Sequence, residues 1–552
     1  MKKIILLVLC TTSALFAQDI ASLRGSIARA QRRANALLIR NAAGQQRSSQ
    51  GLQAQTANGD EALYPDRRGS FGKSLVYFDT GLVDNNAFNK MVAAIKTQNP
   101  TIFDEIPMGT SPVERRLVTP QAAFAYNLDG ADGWIHSMPA APTLASAETA
   151  GEMVEDYWMA LLRDVAFNDF DTDSTAAAAI ADLNRLSDFK GPKEGGVVTA
   201  GTLFRGSTTG DLIGPFISQF LYQPIPYGPG PNYDGSGTLA IQYQEQVAPE
   251  GSVVNDFVFT FTDWLPIQRG ANPDESITFD TTTRTFIRTV RDLADYVHQD
   301  SPMQEYVNAT MILLGYSDDA LDQNNPYISN PTQESFVTYG MPDILYLVVV
   351  ASEIALRTAW YQKWVVHRRA RPEYVGFLVN QQKTGEQDFG LHSDLINSAA
   401  LDNTFGTFGT YFLPLAYPEG SPTHPAYPAG HAVVAGTCIT ILKAFFNEAF
   451  EIPTPVEPNA ANTALVSYSG TPLLIGNELN KLAFNIALGR DMAGVHYRSD
   501  GTEGILLGEK VAIALLQDES FTRNIPFKGY TLTKFDGTRT IVGARQSAAM
   551  LK

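Results

Sequence analysis

Apolar residues return every third or fourth position through most of the chain, the period of an α-helix that buries one face. The pattern predicts helices over Glu148–Asp164, Ala176–Leu186, Phe286–His298, Met303–Leu314, Asp343–Arg369, His431–Phe450, Gly476–Gly489 and Gly501–Gln517. A more polar helix is expected over Ser22–Arg40. Alternation with a period of two stands out in YTLTKFDGTRTIV near the end, where Asp536-Gly537 separates two alternating runs and predicts a β-hairpin. Gly201–Gly251 is rich in Gly and Pro, with Gly228-Pro-Gly-Pro and Asp234-Gly-Ser-Gly, and reads as an irregular connector. No internal repeat is visible, so the expected fold is mostly helical, with long loops and little sheet.

The first residues change the picture at one end. Lys2 and Lys3, the apolar run Ile4–Leu9, and Leu15-Phe16-Ala17 before Gln18 have the layout of a secretory signal over residues 1–17. A secreted or periplasmic location is therefore expected. Residues 18–60, rich in Gln, Ala, Arg and Ser, read as a helical arm over a body spanning 61–552. Loss of the signal would remove Cys10 and leave Cys438 alone, without an intrachain disulfide. No later apolar run reaches the roughly 18 residues of a membrane span, so no membrane partner is expected. The net charge of −17 argues equally against nucleic acid.

Against that acidic whole, three segments gather cations and imidazoles: KWVVHRRARP (Lys363–Pro372), HPAYPAGH (His424–His431) and GRDMAGVHYRSD (Gly489–Asp500). Lys363 and Arg371 are eight apart, which on one continuous helix keeps both on roughly one face, with Pro372 expected to end it. A solvated basic face is the competing reading, since His367, Arg368 and Arg369 lie between them. Gly430 stands at an expected helix start, where backbone N–H groups point at anions, and His431 follows in position to exchange protons. Asp500 lies one turn after His496 and can orient its imidazole. A pocket shared by Lys363, Arg371 and Arg490 would repel a metal cation and hold a tetrahedral oxyanion.

The order Lys…Arg-Pro, Pro-x-Gly-His, Arg-x3-Gly-x-His-x3-Asp resembles the superfamily of vanadium-dependent haloperoxidases and type 2 phosphatidic acid phosphatases. YQKWVVHRRARPE, HPAYPAGH and GRDMAGVHYRSDG are similar to the red-algal bromoperoxidases and their bacterial relatives, as are EMVEDYWMALLRDVAF, TLFRGSTTGDLIGPFISQFL and RDLADYVH upstream. The eight-residue Lys-to-Arg spacing is of the algal type, one longer than in fungal chloroperoxidases. The resemblance implies an all-α fold built on two four-helix bundles within one large domain, with the anion-site motifs in 360–501. It implies vanadate as cofactor and hydrogen peroxide, halide and small organic acceptors as reaction partners. It also implies a homo-oligomer. His496 would ligate vanadium, and Lys363, Arg371, Arg490 and the Gly430 N–H would hold the vanadate oxygens. His431 would act as acid–base residue, Lys363 would polarise bound peroxide, and His424 would stand just behind them. Bromide and iodide oxidation is the expected activity.

The chain departs from that pattern at two positions. Ala429 replaces a Ser whose hydroxyl donates to vanadate, which predicts weaker vanadate retention. Trp360 replaces the Arg of algal bromoperoxidases beside the halide and resembles the fungal choice, whereas His424 is the bromoperoxidase-like residue. The loop Tyr327–Glu334 keeps only one carboxylate, so calcium is not expected. The rival reading from another reaction class is an acid phosphatase of the same superfamily, with His496 as nucleophile and His431 protonating the leaving group. An inactive oxyanion-binding or assembly protein is the second rival.

Overall fold

The computed structural model describes residues 26–226, 255–523 and 527–543, with 238–239, 246–247 and 525. The expected signal over 1–17 lies outside the described residues, as does much of the second half of the Gly- and Pro-rich connector. The arm is helical over 26–48 (α1), longer at its C-terminal end than Ser22–Arg40 predicts. The helices that build and flank the site follow in chain order: α2 (Ala147–Leu161), α3 (Ser174–Arg185), α4 (Val290–Tyr296), α5 (Gln304–Leu314), α6 (Met341–Trp360), α7 (Pro372–Lys383), α8 (Ala399–Phe408), α9 (Gly430–Phe445), α10 (Ile475–Met492) and α11 (Arg498–Thr522). The other helices, among them Asn85–Thr97, pack around these.

The C-terminal half is a four-helix bundle of α6, α10 and α11 around α9. Helix α9 is buried at every position but His431, because its apolar residues run all round rather than in one stripe. Two glycines let α9 and α11 cross closely. A Cβ on Gly436 would stand 2.1 Å from the Ile505 carbonyl oxygen, and one on Gly508 would stand 2.2 Å from that of Val433. The same crossing brings the start of α9 against the start of α11, where the Ala429 N–H donates to the Asp500 carbonyl at 3.0 Å.

A second group of four is less regular. Helices α2, α3 and α8 pack with the single turn Ser393–Ile396, and α2 also touches α10, which joins the two halves. Ser146, Asp173 and Thr289 cap α2, α3 and α4 through their side chains, the residue types that satisfy the free N–H groups of a first turn. The predicted hairpin pairs Tyr530–Thr533 with Arg539–Val542 in antiparallel register, and Gly537 takes the left-handed turn position at φ 81°.

The structure corrects one element that bears on the site. The helix expected without a break over Asp343–Arg369 is α-helical only to Trp360 and continues as a π-helical turn over Tyr361–His367. Arg368 closes that turn in the left-handed region at φ 44°, its N–H donating to the Lys363 carbonyl at 3.0 Å. Pro372 therefore starts helix α7 rather than ending the helix before it, a first-turn position that suits a residue without an N–H.

Candidate oxyanion-binding site

Lys363 and Arg371 reach the same place from two elements, not from one helix face. Lys363 sits in the π-turn, wholly buried, and donates to the Pro425 and Ala426 carbonyls, both at 2.7 Å. Arg371 is the residue before α7 and donates to the carbonyls of His424 at 3.0 Å and Val495 at 2.7 Å. Both side chains thus pin the loop that carries His424 and leads into Gly430. Arg490, from the end of α10, donates to the Val297 carbonyl at 2.6 Å and the Tyr417 hydroxyl at 3.3 Å; its Nε is buried without a partner.

Hydrogen-bond chemistry assigns the imidazoles. His496 Nδ1 stands 2.8 Å from Asp500 Oδ2, and a carboxylate accepts, so Nδ1 carries the proton. Nε2 then holds a lone pair, and Arg371 Nη1 donates to it at 2.8 Å. Arg371 Nη2 donates to His424 Nδ1 at 2.9 Å. Asp500 is fixed in turn by Arg369 Nη1 at 2.9 Å and by the Tyr497 N–H. Burial, and after it the positive charges of Arg371 and Lys363, hold the His496 imidazole well below its ordinary value. Burial, Lys363 and Arg371 do the same to His424. The Lys363 ammonium is pushed well down by burial and then by Arg371. Cations confined in low dielectric repel one another, and an anion among them would oppose these shifts.

The donor set fits a tetrahedral oxyanion. Every group contributed by Lys363, Arg371 and Arg490 is an N–H, and one of them, Arg490 Nε, is buried and unpaired. As the first residue of α9, Gly430 has an N–H with no partner inside its helix. A Cβ there would meet only Trp360 at 3.5 Å and Leu356 at 3.6 Å, so packing of the protein does not itself demand glycine. Among the described residues there is no group of three or more His, Cys, Asp and Glu that could hold a metal cation.

The remaining predicted residues line the edges. Trp360, the last α-helical residue before the π-turn, packs its ring 4.8 Å from the His424 ring and donates its indole N–H to the Val118 carbonyl at 3.0 Å. Ala429 is buried at the cap of α9 and supplies no side-chain cap. His431, on the first turn of α9, places Nε2 2.9 Å from Asp300 Oδ1. Sequence reasoning misses Asp300, which lies 131 positions from its partner; no local spacing could have paired them. It also misses Arg369, which stands in a basic run. Arg369 is buried and bridges Asp500 and Glu152 at 2.9 and 2.8 Å, so the solvated-face reading of this segment does not hold.

Fold and site together define a helical-bundle protein with a buried cluster of cations and imidazoles near the starts of α9 and α11. Residues 343–521 match the family model of the VCPO second helical-bundle domain. The chain is 36% identical to a vanadium-dependent bromoperoxidase of Ascophyllum nodosum over 87% of this chain and 88% of that protein. It is 34% identical to one of Corallina pilulifera over 89% and 95% respectively. Among solved structures, the homohexameric second vanadate-dependent bromoperoxidase of Ascophyllum nodosum superposes with a TM-score of 0.83 at 30% identity, covering 92% of this chain and 90% of that one. The chain belongs to the vanadium-dependent haloperoxidase family.

Proposed function

We propose that this protein is a vanadate-dependent haloperoxidase that oxidises bromide and iodide with hydrogen peroxide. One observation carries the reading. Arg371 is hydrogen-bonded to the His496 Nε2 lone pair, and the polar partners of buried Lys363, Arg371 and Arg490 are carbonyls, two imidazoles and a phenol, not carboxylates. Vanadate, when bound, supplies a Lewis acid that activates peroxide toward halide.

The chain's own residues would divide the work among them. His496 presents Nε2 as the ligand atom, and Asp500 keeps that nitrogen unprotonated by holding the proton on Nδ1. Arg371 releases Nη1 from Nε2 on ligation while its carbonyl contacts keep the guanidinium in place. Lys363, Arg371, Arg490 and the Gly430 N–H would hold and neutralise the oxyanion, with Lys363 placed to polarise an oxygen of bound peroxide. His431 has Nε2 engaged by Asp300, which leaves Nδ1 to take a proton from peroxide and return it to the product. Trp360 and His424 form the wall at which halide arrives, and the hypohalous product then halogenates small organic acceptors in solution.

The named relatives support vanadate as cofactor and bromide as substrate. The homohexameric relative supports a homo-oligomer, as do the exposed apolar residues Met341, Tyr346 and Val349 along α6. The N-terminal pattern of the sequence supports export. The deciding experiment is bromination of a dimedone-type indicator by purified protein stripped of oxyanions, before and after orthovanadate. Activity that appears only with vanadate is expected. Inactivity at saturating vanadate would overturn the reading and bring phosphate-ester hydrolysis forward.

A further inference from the structure

Behind His431 lies a carboxyl group that the proposed reaction does not use. Glu305 stands on the first turn of α5 and is 1% exposed. Its Oε2 is buried without a donor, and so is Oδ2 of Asp300, the residue whose other oxygen holds His431. The two carboxyl groups lie within hydrogen-bonding reach of each other. Two carboxylate oxygens both accept, so the contact is a bond only if one of them carries a proton. A single proton shared between Oε2 and Oδ2 would satisfy both atoms.

The surroundings decide which group holds it. Asp300 faces the His431 imidazole from α9 and the Arg490 guanidinium from α10, and these outweigh its burial and keep it ionised. Glu305 faces Asp300 from the loop, Tyr296 from α4, Tyr306 from its own helix and Cys438 from α9. Its place at a helix start and a backbone hydrogen bond favour the charged form, but a buried charge with no cation beside it is costlier still. Burial wins, and with the neighbouring Asp300 charge it pushes the Glu305 carboxyl well above its ordinary value.

We propose that Glu305 is a neutral, proton-donating positioning residue whose carboxylic acid anchors Asp300 and so sets the orientation and basicity of His431. The role of His431 as acid–base residue rests on the haloperoxidase reading; the three-membered chain His431–Asp300–Glu305 does not. A neutral donor on Oδ2 draws charge from Asp300 and limits how strongly Asp300 stabilises a protonated imidazole. Removing the donor makes His431 more basic, and replacing it by an amide donor does not.

The test uses full-length, oxyanion-free protein with its histidines 13C-labelled, following the His431 resonance with pH and assigning it by H431Q. E305Q is expected to titrate within about 0.3 pH unit of the wild type, and E305L about one pH unit higher. The corresponding limb of the bromination pH profile of vanadate-loaded protein is expected to move with it. The infrared C=O stretch of a buried protonated carboxyl is expected at neutral pH in the wild type and lost in E305Q. A His431 titration that falls by about a pH unit in E305Q would mean an ionised Glu305 and overturn the proposal. An unmoved titration in E305L, with only a lower melting temperature, would reduce Glu305 to packing and overturn it as well. Should E305L not fold, the infrared band and E305Q decide the matter. Expected titrations without any vanadate-dependent bromination would instead refute the haloperoxidase reading and leave the hydrogen-bonded chain intact.

Discussion

Two sets of buried arginines lie within a few residues of each other and are solved in opposite ways. Arg369 and Arg498 meet carboxylates: Arg369 bridges Glu152 and Asp500, and Arg498 meets Glu155 through Nε at 2.8 Å. Arg371 and Arg490 meet carbonyls, two imidazoles and a hydroxyl. The first set is neutralised within the protein and holds α2, the segment before α7 and the start of α11 together. The second keeps its charge for something else. Position in the sequence does not separate them, since Arg369 and Arg371 are two apart; the charge of the partner does. In this chain the partner of each guanidinium, and not the basic run it stands in, tells the two sets apart.

The sharpest way to break this contrast is to exchange the roles. Arg369→Met leaves Glu152 and Asp500 buried without their cation and is expected to lower unfolding stability by about 3–5 kcal/mol. Arg371→Met strands buried carbonyls but no buried charge, and relieves repulsion; it is expected to destabilise oxyanion-free protein less than Arg369→Met does, while cutting vanadate affinity roughly 10- to 100-fold. Urea denaturation and equilibrium dialysis of the two variants read both quantities. Equal destabilisation by the two would erase the distinction.

Next in size is the oxyanion itself. If the second set awaits an anion, orthovanadate at about 100 times its Kd should stabilise the wild type by about 2.7 kcal/mol, and Arg490→Met should abolish most of that gain. Calorimetric melting with and without orthovanadate measures it; an equal gain in the variant would move the anion elsewhere.

A smaller effect separates both sets from the histidines. Burial, and then neighbouring cations, hold His136 down at about 4 and His367 down at about 3, and both ring nitrogens of His367 lack partners. Unfolded, each titrates near 6.5. Below that pH the unfolded chain binds protons the folded one refuses, so stability is complete above about pH 6.5 and falls toward pH 4. Each residue contributes up to about 1.4 kcal/mol per pH unit in that window. Urea midpoints at pH 7.5, 6 and 5 should show the slope, and His367→Gln should flatten it. The smallest effect belongs to the cap of α9. Ala429→Ser restores a side-chain cap and a donor, and should tighten vanadate by up to about 1.5 kcal/mol. An unchanged dialysis constant would show that water already fills that place.

Much of the fold and part of the site are legible in the order of residues. The helical period locates the elements of the C-terminal bundle, because its helices repeat apolar residues over several turns. Gly430 and the His496–Asp500 offset are legible because their geometry is local to one turn. The partners that make the site work are not. Asp300 reaches His431, Glu152 reaches Arg369, and Tyr417 reaches Arg490 across more than seventy residues in every case. The π-turn is hidden for a different reason: Tyr361–His367 repeats its apolar residues as an α-helix would, and hydrogen-bond spacing leaves no mark on composition.

That turn also has a bearing on chain length. A π-helical segment bonds each carbonyl one residue further along than an α-helix does, so it stores one surplus residue without moving its neighbours. The segment between Lys363 and Arg371 can therefore lose a residue by tightening into ordinary helix, with both cations still brought to the loop at 424–426. A single deletion within 361–367 is the change this part of the fold is built to absorb.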